Sequence, residues 1–386
     1  MTGSSNDFAP IYLNNAATSF PKPDCVAEAM AQAVSSLPGG DNRDSMERRN
    51  VNDELRIALA ELLHAPDHRR IVLGSNATWG LNEAIFGLGL ATGDCIVASM
   101  AEHNSVIRPV EALANKGVKV EYVPVDVAGR IDSGAWKTAI EQHSPKIAIC
   151  THASNVTGAI NDVAKLAAIA KEHGAITLVD AAQTLGLVEI DASDPNIDMI
   201  AFTGHKYLLG PQGTGGLFVG DGIELEPHAI GGTGVRSDLA KMPDEYPMHL
   251  EAGTSNEPSN AGLLAAIRWA KDNPIDIDAL TEKCARLRDG LAGVGAKVID
   301  PGAPSTPVVS FTIEGLAPGY VGELLFDCYD VICRTGLHCA PKIFGCLGDG
   351  LENGTVRISL SRFTTDDEID ALIGAVDDIV SSETGF

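Results

Sequence analysis

Between residues 71 and 219, short uninterrupted apolar runs alternate with longer segments in which apolar residues recur every three or four positions. The first pattern predicts buried strands and the second predicts amphipathic helices. The predicted strands lie near 71–73, 95–99, 118–123, 146–150, 175–179, 198–202 and 216–219, and the helices among them near 80–90, 103–115, 133–143 and 161–173. This alternation indicates an α/β fold with a mostly parallel seven-stranded sheet covered by helices on both faces.

The two ends of the chain show other patterns. A short strand at 11–13 precedes helices near 24–36 and 47–64. After about residue 251, helices at 260–272, 276–292, 318–329 and 366–381 are interleaved with strands at 307–313, 331–333 and 355–360, as is typical of a smaller α+β domain. We therefore expect a large domain over 16–255 and a small C-terminal domain over 256–386 that also takes in residues 1–15.

Composition and charge narrow the class of protein. Apolar residues make up 45% of the 386, as in ordinary globular enzymes. Acidic residues outnumber basic ones by 52 to 28, and the net charge of −24 argues against nucleic acid or an anionic membrane as a partner. No segment is apolar for long enough to span a bilayer, and the start of the chain lacks the pattern of a signal peptide. The eight cysteines show neither zinc-ligand nor disulfide spacing, so we expect no metal site and a cytoplasmic location.

Lys206 lies between two predicted buried strands, within FTGHKYLLGPQGTGG (202–216). A lysine held there loses hydration, so its pKa falls and its neutral amine becomes available as a Schiff-base nucleophile. The alternative is a side chain that extends from the end of the strand into solvent.

Other polar segments follow predicted strands, where ligands bind in a doubly wound sheet. These are the loop at 74–78, Glu102-His103-Asn104, the loop at 152–158, and Asp180 at the end of a buried strand. Each has a structural alternative as a helix cap or a satisfied polar group. An unpaired carboxylate at Asp180 would be costly, so it needs a cationic partner. Together, an amine, an acid for a ring nitrogen and a phosphate-binding loop match the requirements of pyridoxal phosphate.

Nine motifs then occur in one order along the chain. They are LNNAATSFPKP (13–23), SNATWGLNEAI (75–85), AEHNSVIRP (101–109), HASNVTG (152–158), VDAAQTLG (179–186), FTGHKYLLGPQGTGG (202–216), EAGTSN (251–256), RTGLHCAP (334–341) and GTVRISLSRFTT (354–365). Over residues 12–363 the chain resembles the fold-type I pyridoxal-phosphate enzymes of the class V aminotransferase group. Within that group it is similar to the cysteine desulfurase and selenocysteine lyase family.

The resemblance implies a role for each matching residue. Lys206 would form the Schiff base with pyridoxal phosphate, Asp180 would pair with the ring nitrogen, and His103 would stack on the ring and move protons. The ring hydroxyl and the phosphate would be bound by Asn155, Gln183, Ala77, Thr78, Thr203 and His205. Thr254 would reach the phosphate of a neighbouring subunit, which implies a homodimer. The substrate-binding residues would be Asn15, Arg334 and Arg357, with Arg357 clamping the substrate carboxylate.

Cys339 decides the reaction type that the resemblance implies. It aligns with the nucleophilic cysteine of the family, which takes sulfur from L-cysteine as a persulfide and leaves L-alanine. Arg334 and His338 are expected to favour its thiolate, with a purely structural role as the alternative for His338. Cys346, seven residues further on, either receives sulfur or has no part in the reaction.

The leading hypothesis is a cysteine desulfurase that supplies sulfur to an acceptor protein for iron–sulfur clusters or thio-cofactors. The alternatives are a selenocysteine lyase, another C–S lyase, aminotransferase or epimerase with the same cofactor, and a non-catalytic scaffold that binds a sulfur-relay partner. Two departures from the family pattern bear on the substrate. Residues 38–49 carry two aspartates and no histidine, and Ser259 stands where glycine is usual.

Overall fold

The fold is described from a computed structural model, which covers residues 10–36, 50–234 and 236–383. The unusual segment 38–49 and the predicted start of the helix at 47–64 lie outside these residues. Up to residue 219 the elements are β1 (Ile11–Tyr12), α1 (Asp24–Ser35), α2 (Val51–Leu63), β2 (Ile71–Gly74), α3 (Ala77–Gly87), β3 (Cys95–Ser99), α4 (Asn104–Ala114), β4 (Lys119–Val123), α5 (Ser133–His143), β5 (Ile147–Thr151), α6 (Val163–Glu172), β6 (Ile176–Asp180), β7 (Met199–Thr203) and β8 (Gly215–Val219). The remaining elements are α7 (Glu257–Asp272), α8 (Ile277–Gly293), β9 (Lys297–Val298), β10 (Val308–Thr312), α9 (Pro318–Tyr329), β11 (Val331–Ile332), β12 (Arg334–Gly336), β13 (Thr355–Ser359) and α10 (Asp366–Glu383).

A seven-stranded sheet with the order β2-β8-β7-β6-β5-β3-β4 lies at the centre of the fold. Six strands run in one direction, and β8 is antiparallel to both of its neighbours. Neighbouring residues of a strand enter different cores: Val97 packs with α2, α5 and α6, whereas Ile96 packs with α3 and α4. Burial on both faces explains why these strands are continuous apolar runs in the sequence.

A four-stranded antiparallel sheet, β12-β13-β10-β9, forms a second centre. Phe311 and Ile358 of this sheet pack against Leu287 of α8 and Leu372 of α10. Leu13 joins the same core. Leu263 and Ile267 of α7 instead pack in the core of the seven-stranded sheet. The boundary between residues 255 and 256 stays a prediction.

Three short strands depart from the predicted pattern. The apolar segment at 331–333 does not join the four-stranded sheet, because β11 pairs in parallel with β1 as a separate two-stranded sheet. β9 and β12 were not predicted. β12 has the sequence Arg-Thr-Gly, which carries no apolar signal, and it forms through backbone pairing with β13.

The described residues contain neither a membrane-spanning helix nor a cluster of metal-ligating side chains. None of their helices combines the length and apolarity that a membrane crossing requires. Nor do they contain a group of three or more His, Cys, Asp or Glu residues placed to hold a metal ion.

Candidate active site

A cavity of about 280 Å³ opens at the carboxyl ends of the central parallel strands. Most of the residues that the sequence analysis assigns to the site line this one cavity: Ala77, Thr78, His103, Asn155, Asp180, Gln183, Thr203, His205, Lys206, Arg334 and Arg357. Their segments follow different strands and are far apart in the sequence, but parallel strands end at one edge of the sheet. The topology therefore collects them around a single space.

Lys206 and Asp180 form the charged centre of the cavity. Burial lowers the pKa of Lys206 to about 8, against the opposing effect of the Asp180 charge and with a further lowering by Arg357 and Arg334. Burial raises the pKa of Asp180, while a hydrogen bond from the backbone N–H of Ala182 (2.9 Å) and the Lys206 charge oppose that shift. Asp180 is only 5% exposed. Lys206 thus has a substantial neutral fraction near neutral pH, as a nucleophilic amine requires.

His103 is both a helix cap and a lining residue of the cavity. As the N-cap of α4, its Nδ1 accepts a hydrogen bond from the backbone N–H of Ser105 (3.1 Å). Burial lowers the pKa of His103 to about 3, and the charges of Lys206 and Arg334 lower it further. The ring is therefore neutral, and Nε2 is left for the proton when Nδ1 accepts.

The N-terminus of α3 supplies unpaired backbone donors to the cavity. The side chain of Asn76, its N-cap, accepts from the backbone N–H of Trp79 (2.9 Å). Within the described residues the N–H groups of Ala77 and Thr78 have no backbone partner, so they can bind a ligand. The neighbouring backbone of β8 comes close here because residue 215 is glycine: a Cβ on Gly215 would lie 2.7 Å from the Cα of Asn76. His205 Nδ1 is buried without a partner among the described residues.

The cavity residues fit pyridoxal phosphate. Gln183 Oε1 and His205 Nδ1, at the positions matched to the ring and the phosphate, are buried polar atoms without hydrogen-bond partners in the described part of the chain. Buried polar atoms are normally paired, so a polar ligand accounts for both. The lysine, the acid and the helix N-terminus complete the set of groups that this cofactor needs.

Arg357 places a buried cation in the wall of the cavity. It is 1% exposed, and within the described residues no carboxylate pairs with it. Its Nη1 donates to the backbone oxygen of Asn155 (2.9 Å) and its Nη2 to Asn14 Oδ1 (3.2 Å). Burial lowers the pKa of Arg357 to about 10, and the Arg334 charge adds to this effect. An arginine at such a site favours an anionic partner with two oxygens.

Asn15 and Thr254 do not line this cavity. The amide of Asn15 donates to the backbone oxygen of Ser359 (2.9 Å) and accepts from the backbone N–H of Phe20 (3.0 Å), so its polar groups are engaged in holding the fold. It is Asn14 that contacts Arg357. Thr254 is exposed on the surface of this chain.

Cys339 lies near the start of the long connection between β12 and β13. Its Sγ accepts a hydrogen bond from Arg334 Nη2 (2.8 Å), and Arg334 lines the cavity. His338 and Cys339 both have left-handed backbone conformations, with φ of 49° and 59°. The loop is held by Asn155 Nδ2, which donates to the backbone oxygen of His338 (2.7 Å), and by the backbone N–H of Asn104, which donates to that of Cys339 (2.7 Å).

The surroundings of His338 favour the structural role over support of the Cys339 thiolate. His338 is 2% exposed, and its Nε2 lies 2.8 Å from Thr355 Oγ1. Burial, together with the smaller effects of the Arg357 and Arg334 charges, lowers the pKa of His338 to about 2. A neutral imidazole supplies no positive charge, so Arg334 alone provides this interaction. Cys346 Sγ points to Met100 Sδ (3.7 Å).

Sequence reasoning did not assign a function to Glu102 or Ser105. Glu102 is fully buried beside the cavity and accepts from the backbone N–H of Thr151 (2.8 Å). Burial raises its pKa to about 8, and the Asp180 charge adds to the effect. Ser105 Oγ lies 2.8 Å from both His103 Nδ1 and Thr78 Oγ1. The sequence does contain a sign of the role of Glu102, because a carboxylate shortly after a buried strand needs hydrogen-bond partners.

Known proteins resemble the chain over nearly its whole length. Residues 11–372 match the family model described as Aminotransferase class-V. A probable cysteine desulfurase of Pyrococcus abyssi (strain GE5 / Orsay) is 33% identical, and the match covers 96% of this chain and 94% of that protein. The apo structure of a cysteine desulfurase from Thermococcus onnurineus NA1 is 32% identical, with a TM-score of 0.88 over 98% of this chain and 95% of that one. The cysteine desulfurase CsdA of Escherichia coli gives a TM-score of 0.85 at 29% identity, over 96% and 95% of the two chains.

These similarities confirm the predicted α/β class with its mostly parallel seven-stranded sheet. The family match also agrees with a cavity that fits pyridoxal phosphate. The chain therefore belongs to the class V aminotransferase family of pyridoxal-phosphate-dependent enzymes.

Proposed function

We propose that the protein is a cysteine desulfurase that transfers the sulfur of L-cysteine to Cys339 and releases L-alanine. The observation that carries the proposal is the contact of 2.8 Å between Arg334 and the Cys339 thiol, beside a cavity that holds Lys206 and Arg357. In the overall reaction the substrate C–S bond breaks, an S–S bond forms on Cys339, and the substrate carbon gains a proton. The names of the similar proteins support the same activity.

The chain's own residues would hold pyridoxal phosphate at several points. Lys206 would bind it covalently, Asp180 would keep a proton on the ring nitrogen, and His103 would lie against the ring. The polar groups would be bound by Asn155, Gln183, Ala77, Thr78, Thr203 and His205. When bound, this cofactor supplies an electron sink for the negative charge that develops at the α-carbon of an amino acid.

Proton transfer falls to Lys206, beside a neutral His103. Because the pKa of Lys206 is lowered to about 8, its amine exchanges protons near neutral pH. His103 stays neutral at neutral pH because its pKa is lowered to about 3, so its Nε2 would form hydrogen bonds in the cavity rather than act as a readily protonated base. Asp180, which is almost fully buried in the wall of the cavity, would stabilise the positive charge of Lys206.

Substrate orientation falls to the two arginines. The fork of Arg357 would bind the carboxylate of L-cysteine through two parallel hydrogen bonds. Asn14 holds Nη2 of that guanidinium, so we propose Asn14 in place of Asn15 as the asparagine on the substrate side. Arg334 would stabilise the thiolate of Cys339, since its guanidinium already donates to the sulfur.

We also propose a homodimer, a protein acceptor of the sulfur and a cytoplasmic location. Thr254 is exposed and remote from the cavity of its own chain, which supports its binding the phosphate in a partner subunit. Leu337, two residues before the nucleophile, is 39% exposed and offers an apolar contact to an acceptor protein. All eight cysteines are free, as expected in a reducing compartment.

The test is the production of alanine and sulfide from L-cysteine in the presence of a reductant, with L-selenocysteine as a second substrate. We expect Cys339→Ala to lose activity on L-cysteine and to retain activity on L-selenocysteine, because selenide leaves without an attacking thiolate. Cys346→Ala is the matched control and should behave as the wild type. Equal loss of activity on both substrates, or full activity of Cys339→Ala on L-cysteine, would refute the proposal.

A further inference from the structure

A second and larger cavity in the described residues lies apart from the cofactor cavity. It has a volume of about 660 Å³, more than twice that of the cofactor cavity, and the two share no lining residue. Helices α2 and α7 form one side, and the other is formed by Asn15, Ser19, Gly186, Pro274, Ile275, Leu280 and residues 207–209 and 361–362. Its volume lies within the range of small-molecule sites in proteins, roughly 300–1,000 Å³.

The wall of this cavity is mainly aliphatic. It is formed by side chains such as Ile57, Leu62, Leu209, Ile267, Ile275 and Leu280. These residues come from both helices and from the opposite side, so an apolar molecule would be surrounded rather than laid on a flat surface. An aliphatic chain that enters such a space leaves water and gains about 0.8 kcal/mol for each buried CH₂ group.

Four of the charged residues along the cavity neutralise one another. Arg268 lies 2.6 Å from Glu54, and Lys271 lies 3.1 Å from Glu61. Both ion pairs join α7 to α2 across one side of the cavity. They hold the two helices together and leave no net charge for a ligand.

Arg362 is the exception among the charged residues of the wall. Its guanidinium lies over the ring of Trp269 at 5.1 Å, and in the described part of the chain it has no carboxylate partner. Burial lowers the pKa of Arg362 from its ordinary value, in keeping with its partial removal from water. A partly buried arginine without an anion is the charge complement of a carboxylate, with which it forms paired hydrogen bonds.

From the aliphatic wall and the unpaired Arg362, we infer that this cavity binds an amphipathic carboxylate whose alkyl chain fills the space between α2 and α7. The headgroup lies at Arg362, beside Trp269, and the tail packs against the aliphatic residues. This inference does not depend on the proposed function, since neither Cys339 nor the cofactor takes part. Residues 207–209 of the wall follow Lys206 in the chain, so this cavity is close in sequence to the lysine of the candidate active site.

The probe is decanoate, titrated into the cofactor-loaded full-length protein by isothermal calorimetry and by the fluorescence of Trp269. We expect one decanoate per chain, with decan-1-ol and acetate each binding at least about tenfold more weakly, because each lacks one half of the ligand. Decylamine should not bind, since its charge has the sign of Arg362. Trp269→Phe should remove the fluorescence change and keep the calorimetric signal.

Two variants test the location of the site. Arg362→Gln should weaken decanoate binding by about tenfold or more, because a charge-assisted hydrogen bond is lost. Ala58→Trp should abolish binding by filling the space from α2, and Ala270→Phe does so from α7 if the first variant does not fold. Arg286→Gln, which removes the same charge from exposed α8, is the matched control and should bind as the wild type.

Three results would overturn the inference. They are the absence of decanoate binding, affinity that Arg362→Gln and Ala58→Trp leave unchanged, and a stoichiometry of several molecules per chain. The last would show adsorption at the surface. Blocking of the cavity by a second copy of the chain in solution would also appear as an absence of binding and would count against the site.

Discussion

The loop that carries Cys339 stores backbone strain, and Thr355→Val should release it. His338 and Cys339 are consecutive residues with φ of 49° and 59°, a conformation that costs a non-glycine residue roughly 1–2 kcal/mol. The loop therefore carries about 2–4 kcal/mol of strain that its contacts must offset. One of these contacts is the hydrogen bond of 2.8 Å between His338 Nε2 and Thr355 Oγ1.

The size of the effect follows from the few contacts that hold the loop. Besides the Thr355 contact, Asn155 Nδ2 and the backbone N–H of Asn104 donate to the two strained residues, each at 2.7 Å. A hydrogen bond contributes about 1 kcal/mol net, and leaving a buried polar group unpaired costs about 1–3 kcal/mol. The free energy contributed by three such hydrogen bonds is comparable to the strain energy of the loop. Loss of one bond, at about 1–3 kcal/mol, should therefore raise the displaced population of the loop by roughly 5- to 150-fold.

The assay is a single turnover with L-cysteine, in which the persulfide on Cys339 is trapped by an alkylating reagent and measured by mass spectrometry. Thr355→Val should speed amide hydrogen exchange in residues 336–340 by about 5-fold or more and should slow persulfide formation. The visible absorbance of the bound cofactor should not change, because Thr355 does not line the cofactor cavity. Thr281→Val, which removes an exposed hydroxyl from α8, is the control.

Unchanged exchange and unchanged persulfide formation in Thr355→Val would refute the strain argument. Parallel loss of cofactor and activity would refute it as well, since the defect would then extend beyond the loop.

Three further predictions follow from the charges of the site. Arg357→Lys should raise the KM for L-cysteine by about tenfold or more and leave cofactor absorbance intact, because lysine lacks the fork that binds two oxygens; an unchanged KM would exclude Arg357 from carboxylate binding. Asp180→Asn should lower the pKa of Lys206 below about 8, since the Asp180 charge raises it, and the midpoint of pyridoxal-phosphate capture by the apoprotein against pH should move down; an upward shift would contradict this electrostatic account. Glu102 has a folded-state pKa of about 8, above its unfolded value, so its contribution to stability is present below pH ~4.5 and is lost as the pH rises through 8. Glu102→Gln should therefore gain stability relative to the wild type between pH 6 and pH 9 in urea unfolding, and a difference that does not vary with pH would show that Glu102 is not buried as a neutral acid.

Much of the site was predictable because its residues end strands that the sequence marks clearly. Asp180 and Lys206 follow continuous apolar runs, and parallel topology alone brings the ends of such runs together. The elements that were missed depend on partners remote in sequence. β12 forms only because Arg334 and Thr335 pair with β13, and nothing in the local pattern indicates that pairing.

The choice between Asn14 and Asn15 shows a second limit. Adjacent residues point to different sides of the chain, and a pair of identical residues gives no sign of which one faces the cavity. In the structure, Asn14 forms a β-bridge with Ser359. The side chain of Asn15 instead forms hydrogen bonds with the backbone groups of Ser359 and Phe20, so it does not face the cofactor cavity. His338 shows a third limit, because the sequence places it beside Cys339 but does not reveal the burial that keeps it neutral.

Asn155 also holds the loop, but it contacts too many other groups to serve as the test residue in place of Thr355. Its side chain donates to the backbone of His338, its own backbone oxygen accepts from Arg357, and it lines the cofactor cavity. One residue therefore contacts the nucleophile loop, the substrate-binding arginine and the space for the cofactor ring. A change at Asn155 would disturb all three together, and such effects do not separate into independent contributions. Thr355 reaches the same loop from the side of β13 without contacting the cavity, so its substitution isolates the conformation of the loop from cofactor and substrate binding.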